Sequence, residues 1–186
     1  CRRVITFDNC WCVDVYFLGE DAARGPSIDR GKIMKLAPLV EFDSQISELQ
    51  ELGTTAFGER KIYLVGGGRF WGDKINGSAR AGGADWVLVN STGLARLDVR
   101  KTIETDDGAL IYMSYQGWYQ FDKKITENLA QGIGYQFGDT LFQVQVQFET
   151  GDPRYQWLTT TLAVAEGRET SDGIHYRVYE LLTGDT

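Results

Sequence analysis

Apolar and polar residues alternate most cleanly over Thr140–Thr150, where Phe142, Val144, Val146 and Phe148 oppose Gln143, Gln145, Gln147 and Glu149. Side chains on an extended chain point to opposite faces in turn, so this is a strand with one face in a core. The same period runs from Leu97 to Tyr119, with Leu97, Val99 and Ile103 on one face and Asp98, Arg100, Thr102 and Glu104 on the other. Asp106-Asp107-Gly108 interrupts it, and Asp-Gly between two alternating arms predicts one long β-hairpin. Trp11–Leu18, Lys35–Phe42, Lys61–Val65, Arg69–Ala79, Trp86–Asn90, Leu162–Glu166 and His175–Leu182 read as further strands, separated by glycine-rich punctuation. After Asp43, the piece SQISELQEL spaces Ile46, Leu49 and Leu52 at helical intervals and predicts a short helix. Residues 121–139 keep no steady period and read as a lid or crossing loop. Residues 154–160 read as a single helical turn, and Gly19 to Gly31 as a long charged loop.

Many short strands joined by tight turns indicate an all-β protein, and closure into an antiparallel barrel removes the exposed edges that such strands would present. A sandwich produces the same alternation, so the barrel is favoured without excluding it. At 186 residues, 42% of them hydrophobic, the chain suits one domain over 1–186 with a real core. Twelve per cent aromatic residues and 22 glycines fit strands and turns better than a helical bundle.

The formal charge of -7 and the lack of a basic stripe exclude nucleic acid as a partner and favour a neutral or weakly polar small molecule. No apolar run approaches the about 20 residues of a membrane-spanning helix, so no membrane association is expected. The chain opens on Cys1, and Asn76-Gly77-Ser78 and Asn90-Ser91-Thr92 match the glycosylation pattern, which leaves the compartment open between the cell interior and the secretory pathway. Cys1, Cys10 and Cys12 read as free thiols, with a Cys1 bridge to Cys10 or Cys12 open. With His175 the sole histidine, no metal site is expected and no cofactor is called for. The run Gly66-Gly67-Gly68 lacks the following Lys-Ser/Thr of a phosphate loop.

Four motifs in order, GGGRFWG at Gly66 to Gly72, GGADW at Gly82 to Trp86, LDVRKTIETDDGALIY at Leu97 to Tyr112 and FETGDPRYQWL at Phe148 to Leu158, together resemble the domain-of-unknown-function family numbered 3237. The likeness spans roughly residues 60 to 180; the N-terminal third and an inserted segment around Lys123 to Phe137 depart from it. It implies a small β-barrel similar in shape to allene oxide cyclase and dirigent proteins. It also implies, from fungal relatives, a cofactor-free cyclase that closes an oxygen ring by adding a phenolic hydroxyl across a prenyl alkene. Self-association is left open by analogy with such barrels.

That reaction needs an acid to protonate carbon, an acceptor for the phenolic proton, and shielding of the developing cation from water. Asp85 and Trp86 are adjacent on a strand, so one of them faces the lumen; Asp85 is the candidate for chemistry and Trp86 for packing. Asp98, Arg100 and Glu104 share a face, read as a solvent-side ion-pair ladder or, in the barrel implied by the resemblance, as part of the pocket with Tyr112. Trp71, Tyr112, Trp118, Tyr155 and Trp157 are candidates for an aromatic lining, and Arg154 with Tyr155 for a polar end of the ligand. Asp106 and Asp107 read as turn formers, and His175 as a satisfied strand residue. A non-catalytic binding barrel, or a dirigent-like guide for a reactive intermediate, remain as alternative readings.

Overall fold

The structure, a computed structural model, describes residues 33–133, 135–170 and 173–183. The expected strand Trp11–Leu18, the loop Gly19 to Gly31 and all three cysteines lie outside the described residues. The described chain forms nine strands: β1 Lys35–Thr55, β2 Gly58–Gly67, β3 Arg69–Trp71, β4 Gly77–Val89, β5 Leu94–Thr105, β6 Leu110–Gln120, β7 Phe142–Glu149, β8 Ala163–Thr170 and β9 Gly173–Leu182. Helix α1, Lys123–Ala130, lies between β6 and β7, and a 3₁₀ turn over Gln156–Thr160 between β7 and β8.

Every pairing is antiparallel, and β1 pairs with β9 as well as with β2, so the sheet closes on itself. The β2 and β3 segments share the same neighbours, β1 and β4, and together fill one position; the nine strands thus make an eight-position barrel. Between them stands Gly68, at φ 139°, where a Cβ would strike the Asp43 carbonyl. Only glycine allows this break, which accounts physically for the GGGRFWG motif.

The helix expected over SQISELQEL is instead the second half of β1. Its ladder with β2 runs from Gln45 to Thr55, β9 pairing with β1 only as far as Gln45, and this tertiary pairing overrides local spacing. Register shifts at Gln45/Ile46 and Ile46/Glu48 reset the alternation, so Ile46 and Leu49, three apart, both border the cavity, Leu49 at an exposed position. Likewise the expected strand Arg69–Ala79 is two elements, and residues 121–139 contain a helix opened by Asp122. The Asp122 carboxylate accepts the backbone N–H groups of Lys124 and Ile125, and Ile125 is buried.

The barrel is filled unequally along its axis. At the end carrying the β5–β6 hairpin tip, Ile75, Ile103, Ile111 and Met113 pack to near-zero exposure around Leu158 of the 3₁₀ turn. Toward the other end the same strands surround a cavity.

Candidate functional site

The cavity holds about 430 Å³ and is walled by all eight positions of the barrel. Alternation within each strand decides its lining. On β5, Leu97 and Val99 face in; on β6, Tyr115 and Tyr119; on β4, Asp85 and Val87. Aromatic rings form its wall and floor. Phe42 stacks between Phe70, at 4.5 Å, and Tyr176, at 4.7 Å, while Tyr115 and Phe142 meet Tyr176 edge-on. Ser44 and Tyr176 place their hydroxyls beside that of Tyr115.

Asp85 enters this apolar space because β4 is bulged. The register with β5 jumps between Ala79 and Gly83, and Gly83 holds φ 107° where a Cβ would strike the Arg100 carbonyl. Such a bulge bends a strand and re-aims the side chains beyond it, and it belongs to the GGADW motif. The Asp98 backbone N–H donates to Asp85 Oδ1 at 3.0 Å. Burial outweighs that donor and, with the nearby Asp98 carboxylate, pushes the Asp85 carboxyl up to about 7. Trp86, on the opposite face, carries the Arg100 guanidinium at 5.4 Å.

Across the lumen stands a second carboxyl that the sequence pattern did not single out, Glu169. It belongs to β8, whose inward residues run Ala163, Ala165, Gly167 and Glu169, and β8 lies four positions from β4 in a circuit of eight. Burial raises its pKa, and the Tyr119 hydroxyl beside it opposes the shift. The Glu169 N–H donates to the Tyr135 hydroxyl at 2.8 Å, and burial pushes the Tyr135 phenol up to about 12. Among the described residues, Asp85 and Glu169 are the two carboxyl groups lining the cavity.

Lys101 is the other unforeseen group. It is only 3% exposed and sits on the inward face of β5, two residues beyond Val99. Its Nζ lies 4.0 Å from the Phe42 ring centroid and 5.5 Å from that of Tyr115, with no hydrogen-bond partner among the described residues. Burial alone brings the amine down to about 7.

The remaining expected site residues lie elsewhere. Asp98, Arg100 and Glu104 point outward, because β5 turns its odd-numbered side chains into the barrel. Asp98 and Arg100 pair on that outer face at 3.2 Å, and Glu104 pairs with Arg80 at 3.4 Å, which is the ion-pair ladder rather than the pocket. Tyr112 and Trp118 are outward and exposed on β6, where the even-numbered residues face solvent; Tyr112 borders a second groove, of about 410 Å³, with Gln147 and Thr160. Trp71 packs outside the cavity against His175, ring centroids 5.4 Å apart. His175 is held between Asp43, at 2.8 Å from Nδ1, and Glu41, at 3.0 Å from Nε2.

Arg154 and Tyr155 sit at the packed end. Arg154 bonds Asp152 and Asp107, and the Tyr155 hydroxyl donates to Asp107 Oδ1 at 3.1 Å, so both brace the hairpin tip. Asp106 pairs with Arg69 through two bonds of 2.7 Å. Hydrogen bonds from Arg69, from Thr105 and from Arg154, respectively, hold the Asp106, Asp107 and Asp152 carboxyls below the usual range. Trp157 packs beside the core, with the Lys74 ammonium 5.3 Å from its ring centroid.

Among the described residues no cluster of His, Cys, Asp and Glu is arranged to hold a metal, and no helix is long and apolar enough to cross a membrane. The pattern of the family described as "Protein of unknown function (DUF3237)" matches residues 34–181. The chain belongs to this family. A UPF0311 protein of Rhodopseudomonas palustris is 29% identical over 139 residues, 75% of this chain and 91% of the relative. A β-barrel-like protein from Acinetobacter baumannii is 37% identical with a TM-score of 0.69, covering 81% of this chain and 97% of the other. An enzyme from Penicillium herquei, 16% identical over 81% of this chain and 95% of its own, shares the fold at a TM-score of 0.61. These proteins thus share the barrel, and the lining described above is this chain's own.

Proposed function

We propose that the protein is a cofactor-independent cyclase that closes an oxygen heterocycle by adding a phenolic hydroxyl across a prenyl alkene. The observation that carries the reading is the Asp85 carboxyl, partly protonated near neutral pH inside an aromatic cavity of about 430 Å³. A cavity of that size suits a small aromatic ligand. A carboxyl kept protonated by burial can donate to an alkene carbon at neutral pH. The cation that forms is shielded from water and faced by the rings of Tyr115, Phe142 and Tyr176, whose quadrupoles favour positive charge. The phenolic oxygen then closes the ring and the proton count is unchanged, so the product is an isomer of the substrate.

The test incubates purified protein with 2-geranylphenol, a prenylated phenol whose closure to the chroman creates a stereocentre, without added metal or nucleotide, and resolves the product by chiral chromatography. A single enantiomer formed faster than the blank supports the reading. Racemic ether at the uncatalysed rate overturns it, and a prenylphenol bound tightly but unchanged for many hours identifies a binding barrel instead. Asp85→Asn is expected to lower turnover by about 100-fold or more, with unchanged far-ultraviolet circular dichroism.

A further inference from the structure

An acid alone leaves the cyclisation incomplete, because the phenolic proton must go somewhere as the oxygen attacks carbon. Asp85 is then a carboxylate lying against the face of the alkene it protonated, out of reach of a phenolic oxygen that adds from the opposite face. A second group is needed on another side of the substrate. The barrel holds one candidate that meets the geometry: Glu169 lines the same cavity from β8, half-way round the circuit from β4. A barrel of this strand number is just wide enough to hold one small ligand, so a planar ligand in the lumen meets both walls.

The surroundings of the two carboxyls differ in kind. Asp85 has one donor, a backbone N–H, and a like charge nearby in Asp98. Glu169 has the Tyr119 hydroxyl nearby, which works against the upward shift caused by burial, and its own backbone N–H is anchored on Tyr135. Burial raises both carboxyls, but at Asp85 the Asp98 charge adds to the rise, which reaches about 7, whereas at Glu169 the Tyr119 hydroxyl opposes it and favours the ionised, proton-accepting form. Tyr63 on β2 lies within the field of both Glu169 and Asp85, so the two carboxyls share one space. The titratable groups facing Glu169 are therefore Tyr119 from β6, Tyr135 from the segment before β7, Tyr63 from β2 and Asp85 from β4.

We propose that Glu169 is the second catalytic residue of the cavity, the base that accepts the phenolic proton of a ligand whose alkene lies against Asp85. This rests on the cyclase reading above and adds the other half of its proton traffic. Asp85 gives its proton to the alkene carbon and becomes a carboxylate. The phenol O–H breaks toward the Glu169 carboxylate, the C–O bond forms, and Glu169 is left protonated. Exchange with solvent returns one proton to Asp85 and removes one from Glu169, and no oxidant, reductant or co-reactant enters.

The experiment has an arm that does not depend on turnover. The probe is 2-prenyl-4-nitrophenol, whose phenolate absorbs in the visible, titrated with pH while bound to wild-type protein, Glu169→Gln and Asp85→Asn. A carboxylate beside the hydroxyl opposes phenolate formation, so Glu169→Gln is expected to move the bound probe's midpoint to lower pH, and further than Asp85→Asn does. Equal midpoints for wild type and Glu169→Gln, or a larger shift in Asp85→Asn, overturn the assignment. In turnover of a 2-prenylphenol, Glu169→Gln is expected to lower kcat about 100-fold with KM within threefold and to abolish the acidic limb of the kcat profile. Glu169→Asp, which keeps the carboxylate, is expected to recover part of the rate and the limb, and its failure to exceed Glu169→Gln counts against a chemical role. If wild-type protein does not bind the probe at all, the phenol-binding reading falls and Glu169 with it. Binding with the expected midpoints but no turnover overturns the cyclase and leaves Glu169 placed at the hydroxyl.

Discussion

The two ends of this barrel are made from the same strands and the same alternation, yet they are different materials. At the hairpin-tip end, Ile75, Ile103, Ile111, Met113 and Leu158 fill the lumen, and ion pairs among Arg69, Asp106, Asp107 and Arg154 brace the rim outside. At the cavity end, the inward positions pass to Asp85, Tyr115, Tyr119, Tyr176 and Glu169, with Lys101 buried near the junction. Aliphatic side chains interdigitate and leave no room, whereas rings and ionisable groups leave space and carry pKa values moved by burial. One half therefore maintains the fold and the other holds groups that are unfavourable to bury. Such a division is expected where a site is set into a scaffold at some expense in stability.

The division breaks most sharply at the packed end. Ile111→Ala and Leu158→Ala are each expected to destabilise the barrel by about 2–5 kcal/mol, read from urea denaturation midpoints, because both side chains are fully buried among fixed neighbours. A loss as small as that of an exposed residue would mean that this end is not the scaffold. At the junction the sign should reverse: Lys101→Met removes a buried amine with no hydrogen-bond partner among the described residues and is expected to stabilise by about 1–3 kcal/mol.

The pH dependence of stability sharpens the same contrast. Asp85 titrates higher in the folded than in the unfolded chain, so folding is favoured below the ordinary 3.8 and that advantage is lost as pH rises to about 7. Lys101 titrates lower when folded, so its share of stability is present above the ordinary 10.5 and is lost as pH falls to about 7. Denaturation midpoints from these two groups should therefore dip near neutrality, with Asp85→Asn flattening the acid side and Lys101→Met the alkaline side. The smallest effect belongs to the outer face, where Glu104→Gln is expected to leave both the midpoint and turnover of a 2-prenylphenol unchanged.

Much of the architecture was legible in the chain. The strands over Leu94–Thr105, Phe142–Glu149 and His175 onward, the hairpin at Asp106 to Gly108 and the helical turn near residue 156 all arise from short-range rules of alternation and turn chemistry. The inward turn of Asp85 was legible, whereas Asp98, Arg100 and Glu104 stood open between an outer ion-pair ladder and the pocket, and the pleat turned them, with Tyr112, outward. Parity alone could have located Lys101, since it shares its face with Leu97, Val99 and Ile103, and its charge hid that. Glu169 needed one more step, because β8 runs to Thr170 whereas its apolar pattern ends near Glu166.

What the sequence by itself determined is the all-β class and the alternating faces, because those depend on neighbours one or two residues apart. Which face turned inward, and what met what, was decided only by closure. Ile46 and Leu49 border the cavity through shifts in the pairing of β1 with β2, and Asp85 and Glu169 share a lumen because pairing of β1 with β9 brings distant strands into one ring. Residues 84 positions apart in the chain become opposite walls of one cavity for that reason, and no local pattern encodes it.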